Sequence, residues 1–374
     1  MRICILSMQR VCNFGSVLQS YSLKKILTEL GHEVEFIDID SNNRDLVISG
    51  DEGIRFAEDI DGFSKHALLG RLKKININLP LRVRNKFIQK RQIKMFLAFQ
   101  NRVLKLDSNK NTEYDLCVIG SDEVFNCLQA DDISRTTQLF GNVRQASRVI
   151  TYAASCGFCT YDKLSPEMKQ RISHAFSKVE RFSVRDKNTK EFVSKLTGRS
   201  DISENFDPVF IGNFDKEISR VKLKKEMPEN YCLVYAYPNR IHSKEEIREI
   251  KKFCREKKLN IVAIGMQQSW IRDYRVMNPF ELLYAFKNAD YVITDTFHGA
   301  IFSAKYAKKY SIILRDSNRN KLGDLIERLD IEKHVICSMK ELDDNWQYSE
   351  NKERIILLEK KGRQETINYL KSAL

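Results

Sequence analysis

Short apolar runs rich in β-branched residues recur along this chain, and each is followed by a tight turn and a segment whose apolar residues fall at helical spacing. Strand, turn and helix in that repeated order fold as parallel strands joined by crossover helices that cover both faces of a sheet. The N-terminal half supplies RICILS at 2–7, the turn VCNFG, a helix from Ser16 to Leu30 stopped by Gly31, and VEFIDI at 34–39. It continues with YDLCVIGSD at 114–122, RVITYAAS at 148–155, a helix over 165–178 and FSVRD at 182–186. The segment NFDPVFIG at 205–212 carries proline and glycine and precedes a charged stretch from Asp215 to Glu229, which marks a break. From Tyr231 the pattern restarts with YCLVYAY, a helix after Ser243, NIVAIGM at 260–266, a helix from Pro279, YVITDTFHG at 291–299 and YSIILR at 310–315. The expected fold class is α/β, with two Rossmann-like doubly wound domains facing a cleft. The first spans 1–214, the second 215–345, and a last amphipathic helix within 346–374 folds back against the first. A chain of 374 residues is long enough for two such cores.

With 42% hydrophobic residues and six prolines, the chain has the composition of a globular protein. No apolar run reaches the length of a membrane span, and the opening MRICILS is a strand without a following cleavage-type segment, so a cytoplasmic protein is expected. Nine cysteines scattered through strands and helices read as small core residues in a reducing compartment. Cys156 and Cys159 have redox-motif spacing but no helix N-terminus before them and no second pair for zinc, and the DID of 38–40 ends a strand; no metal site is expected.

The net charge of +13 is concentrated in one place. Residues 65–106 hold Lys65, Arg71, Lys73, Lys74, Arg82, Arg84, Lys86, Lys90, Arg91, Lys94, Arg102 and Lys105 without one Asp or Glu. Interleaved with Leu68, Leu72, Ile75, Phe87, Phe96, Leu97 and Phe99, they read as one or two basic amphipathic helices inserted in the first domain. Such helices suit contact with an anionic membrane surface, at the inner face of the cell membrane; a plain solvated face is the alternative, and nucleic acid is not the expected partner.

The turns beyond the strands are where an open parallel sheet keeps its ligands. Asn13 and Gly15 follow the first strand and open a helix carrying Gln19; no GxGxxG or GxxxxGK[ST] pattern is present there, which argues against a dinucleotide or a Walker-type phosphate cradle. Gly120, Ser121 and Asp122 follow DLCVI, with Asn126 a helical turn later, and Arg185 and Asp186 follow FSV. In the second half Thr296, His298 and Gly299 stand between a strand and a helix that also carries Lys305, and Arg315 follows SIIL. Converging on one edge, these residues suit an anionic substrate: arginine forks clamp carboxylate or phosphate, a helix N-terminus carries partial positive charge, and an imidazole moves a proton near neutral pH. The candidate catalytic residues are His298 and Arg185. The candidate substrate-binding residues are Asn13, Gly15, Gln19, Gly120, Ser121, Asp122, Asn126, Asp186, Thr296, Gly299, Lys305 and Arg315.

The blocks CNFGSVLQSYSL (12–23), YDLCVIGSDEVFN (114–126), YAASCG (152–157), FSVRD (182–186), FDPVF (206–210) and YVITDTFHGAIFSAKY (291–306), in that order, resemble the polysaccharide pyruvyl transferase family over residues 1 to about 320. The resemblance implies a GT-B-like fold, phosphoenolpyruvate as co-substrate and no tightly bound cofactor. The acceptor it implies is a sugar of a cell-surface polysaccharide or of its polyprenyl-linked precursor. The product would be a cyclic pyruvate ketal, with release of phosphate. By match to the motif, His298 is the donor-site histidine, acting as general acid or phosphate ligand, and Arg185 is the arginine that holds the anionic donor. Cys156, Glu123 and Phe125 depart from the residues common at those positions in the family. A glycosyltransferase using a nucleotide sugar in the same cleft, and a non-catalytic scaffold of polysaccharide assembly, are the alternative readings.

Overall fold

The computed structural model describes residues 1–40, 45–46, 79–108, 113–128, 135–237, 240–265, 268–316 and 318–374. Lys65, Arg71, Lys73 and Lys74 of the basic segment lie outside the described residues.

The first sheet is built from β1 (Arg2–Leu6), β2 (Glu33–Phe36), β3 (Tyr114–Ile119) and β4 (Ala146–Thr151) in the order β2-β1-β3-β4. All neighbours are parallel, with Cys4 opposite Cys117 and Ile5 opposite Val118. Bridges at Ile150–Arg181 and Ala154–Val184 extend it to β5 (Phe182–Val184), which pairs in parallel with β6 (Ile202–Glu204). A strand with a neighbour on each side and helices above and below is buried on both faces, and Ile3 to Leu6 accordingly are fully buried.

The second sheet contains β7 (Tyr231–Tyr235), β8 (Asn260–Ile264), β9 (Asp273–Arg275), β10 (Tyr291–Thr294), β11 (Tyr310–Ile313) and β12 (Val335–Ile336). Their order is β12-β11-β10-β7-β8-β9, again with all neighbours parallel. The two Rossmann-like domains and the GT-B-like arrangement expected from the sequence are present. The short strands β6, β9 and β12 were not read from the sequence, because two or three residues are too few to show a period.

Local signals set the helix starts. Asn13 accepts from Gly15 N at 2.8 Å and starts the first helix, Phe14–Glu29, two residues earlier than the apolar pattern suggested. Ser243 with Glu246, and Asn278 with Glu281, form capping boxes that start the helices Lys244–Glu256 and Pro279–Asn288.

One apolar cluster joins the domains, containing Ile5, Leu18 and Leu116 of the first sheet side and Leu233, Val292 and Ile312 of the second. Aromatic rings mark the junction: Phe14 lies 4.7 Å from Phe96, and Tyr21 lies 5.2 Å from Phe280. The helix Leu79–Phe99 and the segment Gln100–Leu104 that continues it cross the junction, since Gln92 Nε2 donates to Met277 O at 2.8 Å while Gln100 Nε2 donates to Gln9 O at 3.0 Å. Its Lys86, Lys90, Arg91 and Lys94 are exposed, as are Phe87, Ile93 and Leu97. The helix Lys352–Ala373 spans both domains as well: Lys352 Nζ donates to Ala304 O at 2.8 Å, and the Tyr369 hydroxyl donates to Thr151 O at 2.8 Å. Among the described residues no helix is long and apolar enough to cross a membrane.

Candidate functional site

Two helix N-termini meet at the cleft, one from each domain. Thr296 ends the loop after β10 and caps the helix Phe297–Tyr306 by accepting from Gly299 N at 2.9 Å, which presents His298 on the first turn. The imidazole lies on the backbone of Gly15 at the start of the opposite helix, so closely that a Cβ there would overlap the ring. Glycine at position 15 is therefore required by close approach rather than by its dihedral freedom.

Behind the imidazole stands Asp207, 2% exposed, in the segment that links the domains. Its Oδ1 accepts from Val209 N at 2.9 Å and caps the short helix Pro208–Ile211. Its Oδ2 faces three groups: Arg185 Nη1 at 2.9 Å, Ser121 Oγ at 3.1 Å and His298 Nε2 at 3.5 Å. Burial alone would raise this carboxyl, but His298 and then Arg185 outweigh burial and hold it well below the usual carboxylate range. Asp207 is thus an anion that orients the Arg185 guanidinium and faces the His298 imidazole. Arg185 stacks over the Phe297 ring at 4.1 Å, and its Nη1 lies 4.0 Å from Asp122 Oδ1. Asp122 in turn accepts from Ser16 Oγ at 2.6 Å, which ties the first helix to the β3 turn. Asp122, at φ 80°, and Ala153, at φ 45°, sit in the left-handed region, a strain that clusters at functional sites. Arg185 Nε and His298 Nε2 are buried without a hydrogen-bond partner.

A family model described as polysaccharide pyruvyl transferase matches residues 13–310, most of the chain. The chain belongs to the polysaccharide pyruvyl transferase family. No curated protein matches it significantly. Similar solved structures include the Staphylococcus aureus MnaA–UDP co-structure, 11% identical, covering 100% of this chain and 96% of that one with a TM-score of 0.48. The Neisseria meningitidis UDP-GlcNAc 2-epimerase bound to UDP-GlcNAc is 10% identical, with coverages of 99% and 100% and a TM-score of 0.48. The Escherichia coli heptosyltransferase WaaC with ADP is 13% identical, with coverages of 86% and 90% and a TM-score of 0.39. Identities this low say nothing about the reaction.

In this pyruvyl transferase family member the residues singled out in the sequence fall into three groups. His298, Arg185, Ser121, Asp122, Gly15 and Asn13 come together around Asp207 and the two helix starts. A second set supports them from beneath. Gln19 Nε2 lies within hydrogen-bond distance of Ser7 Oγ and Ser16 O, and Gly120 packs so tightly on Tyr152 O that no Cβ fits. Asn126 donates to Glu123 Oε2 at 2.8 Å, and Gly299 leaves room for Thr294 Oγ1. Asp186 is occupied as a helix cap, accepting from Thr189 N at 2.8 Å and Ser155 Oγ at 2.7 Å.

Lys305 and Arg315 stand outside the group that shares Asp207. Lys305 is at the far end of the His298 helix, buried, with its Nζ bonded to Phe210 O at 2.5 Å and Gly212 O at 2.7 Å and paired with Glu359 at 3.2 Å. It closes the C-terminal end of the linking helix, and the structure does not bring it into the Asp207 group. Arg315 stands at the end of β11 and pairs with Glu246 at 2.5 Å. The sequence reading missed Asp207, although it noted NFDPVFIG as a break; an Asp-Pro pair before a helix is a cap signal, and nothing local says that its second oxygen reaches a histidine 91 residues on.

Proposed function

We propose that this protein transfers the pyruvyl group of phosphoenolpyruvate to a sugar of a cell-surface polysaccharide or its lipid-linked precursor, forming a pyruvate ketal and releasing phosphate. The observation that carries this reading is the buried Asp207 carboxylate shared by Arg185 and His298, at the meeting of two helix N-termini in a chain of this family. Ketal formation needs a proton delivered to C3 of the enol, which leaves an oxocarbenium-like C2 for a sugar hydroxyl to attack; a second hydroxyl then displaces phosphate. His298, backed by an anion, is suited to hold and deliver that proton, and the hydroxyls release theirs as the two C–O bonds form. The partial positive charge at the two helix starts suits an anionic donor.

The test is thermal stability with phosphoenolpyruvate, UDP-sugars and GDP-sugars, on wild type and His298→Ala, because a ligand of the native state raises its stability by mass action. A saturable rise with phosphoenolpyruvate, weakened in the variant, supports the transferase. A rise with nucleotide sugars alone favours a glycosyltransferase, and no rise with any favours a scaffold.

The helix Leu79–Phe99 favours action at a membrane surface: Lys86, Lys90, Arg91 and Lys94 share its outer side with exposed Phe87 and Leu97, a pairing suited to an anionic bilayer.

A further inference from the structure

The C-terminal edge of the second sheet holds a polar cluster that the Asp207 group does not use. Strands β8, β7, β10 and β11 lie side by side, and the residues beyond their ends include Gln268, Tyr237 and Arg240, Asp295, and Arg315 respectively. Asp295 is 1% exposed and accepts from Tyr237 N at 3.1 Å through Oδ1, while its Oδ2 lies 3.9 Å from Arg240 Nε. Gln268 Nε2 donates to Ala236 O at 2.9 Å and fixes the Tyr237 loop, and the Arg240 guanidinium lies over the Tyr237 ring at 4.9 Å. Glu246 holds Arg315 from the neighbouring helix.

Three buried atoms of this cluster have no hydrogen-bond partner: Asp295 Oδ2, Arg240 Nη1 and Arg315 Nε. Buried polar atoms are paired as a rule, because an unpaired one bears the full cost of leaving water. The charge balance distinguishes this cluster from the one around Asp207. Arg185 is matched by Asp207 and faces Asp122 as well, whereas among the described residues the nearest carboxylate to Arg240 is 3.9 Å away. Burial pushes that carboxyl up to about 6, and its separation from Arg240 is too long for a hydrogen bond. The guanidinium left without a hydrogen-bonded carboxylate among the described residues of this cluster is therefore that of Arg240. A phosphoryl group, with up to two charges and three acceptor oxygens, suits the Arg240 fork, whose Nη1 is unpartnered, and the unpartnered Nε of Arg315, whose other edge is held by Glu246.

We propose that Arg240, with Arg315 and Tyr237 beside it, forms a phosphoryl-binding subsite on the second domain, next to the His298 junction. Asp295 positions Arg240 and the Tyr237 backbone. The subsite rests on the transferase reading only for the source of the phosphoryl group, which is either phosphoenolpyruvate or the phosphate linker of an acceptor sugar.

Calorimetric titration of wild type, Arg240→Gln and the exposed control Arg248→Gln with inorganic phosphate, pyrophosphate and phosphoenolpyruvate tests this. Binding of at least one probe to wild type, weakened about 10-fold or more in Arg240→Gln and unchanged in Arg248→Gln, is expected from loss of a charged hydrogen bond. If Arg240→Gln does not fold, Arg240→Lys, which keeps the charge and loses the fork, is read in its place. Equal affinities in wild type and variant, or no binding of any probe, overturn the subsite. Weakening confined to phosphoenolpyruvate assigns it to the donor, and weakening confined to pyrophosphate assigns it to a phosphate-linked acceptor. Pyrophosphate binding that depends on Arg240, in a protein that does not bind phosphoenolpyruvate, leaves the subsite standing and removes the transferase reading.

Discussion

Around Asp207 a guanidinium, a hydroxyl and an imidazole share one buried carboxylate oxygen, so substitutions there change charge and proton placement more than packing. His298→Ala is expected to lower turnover by about 100-fold or more in a folded protein, the usual range for losing a general acid. Wild-type turnover in the folded variant would exclude it from the proton step. Gly15→Ala should impair activity similarly, because its methyl occupies the place of the His298 ring. Retained activity in that variant would mean the observed closed geometry is not the working one. A different buried carboxylate governs acid stability. Glu350 faces His334 at 3.4 Å and Arg354 at 2.9 Å, with Tyr310 donating to it. Burial raises this carboxyl, but bonds from His334, Tyr310 and Arg354 outweigh burial and lower it to about 2 from 4.5. A folded value below the unfolded one stabilises above about pH 4.5, and that contribution is lost as pH falls toward about 2. Denaturant midpoints measured across that window should fall in wild type and flatten in Glu350→Gln; parallel curves would show that Glu350 is not the titrating group.

At the scale of elements, the helix Leu79–Phe99 has two jobs on two faces. Its inner face, Gln92, Phe96 and Phe99, is buried against both domains. Its outer face carries Lys86, Lys90, Arg91 and Lys94 with Phe87 62% exposed and Leu97 48% exposed. Glutamine at all four basic positions should reduce binding to anionic liposomes and its sensitivity to salt, since each nearby basic residue adds roughly 1 kcal/mol of attraction. Sedimentation with vesicles of anionic and of neutral lipid measures this. Absence of wild-type binding to anionic vesicles at low salt would end the membrane reading without touching the active-site argument.

For the molecule as a whole, the continuous apolar cluster and the two helices that span both domains predict one cooperative unfolding transition. Two resolved calorimetric transitions would show that the domains are energetically independent. Phe14→Ala, at the junction of Phe96 and Tyr235, should cost about 3–5 kcal/mol of stability and lower the single transition rather than split it.

The sequence by itself determined the fold class, because buried parallel strands and their crossover helices impose periods that show in one dimension: YDLCVI became β3 and YVIT became β10 at those residues. It also brought forward the residues that follow strand ends, since topology puts those turns on one edge, and His298, Arg185 and Asp122 are among them. Tertiary structure alone decided what each side chain meets. Asp207 and Asp186 each precede a short apolar or polar helix and read alike as caps, yet Asp207 Oδ2 reaches His298 and Asp186 Oδ2 is taken by Ser155. Lys305 lies seven residues from His298 on the same helix and bonds the far end of the short helix that Asp207 caps, and Arg240 gains its place only because β7 lies beside β10. A side chain's partners come from contacts across long separations in the chain, and no local period records them.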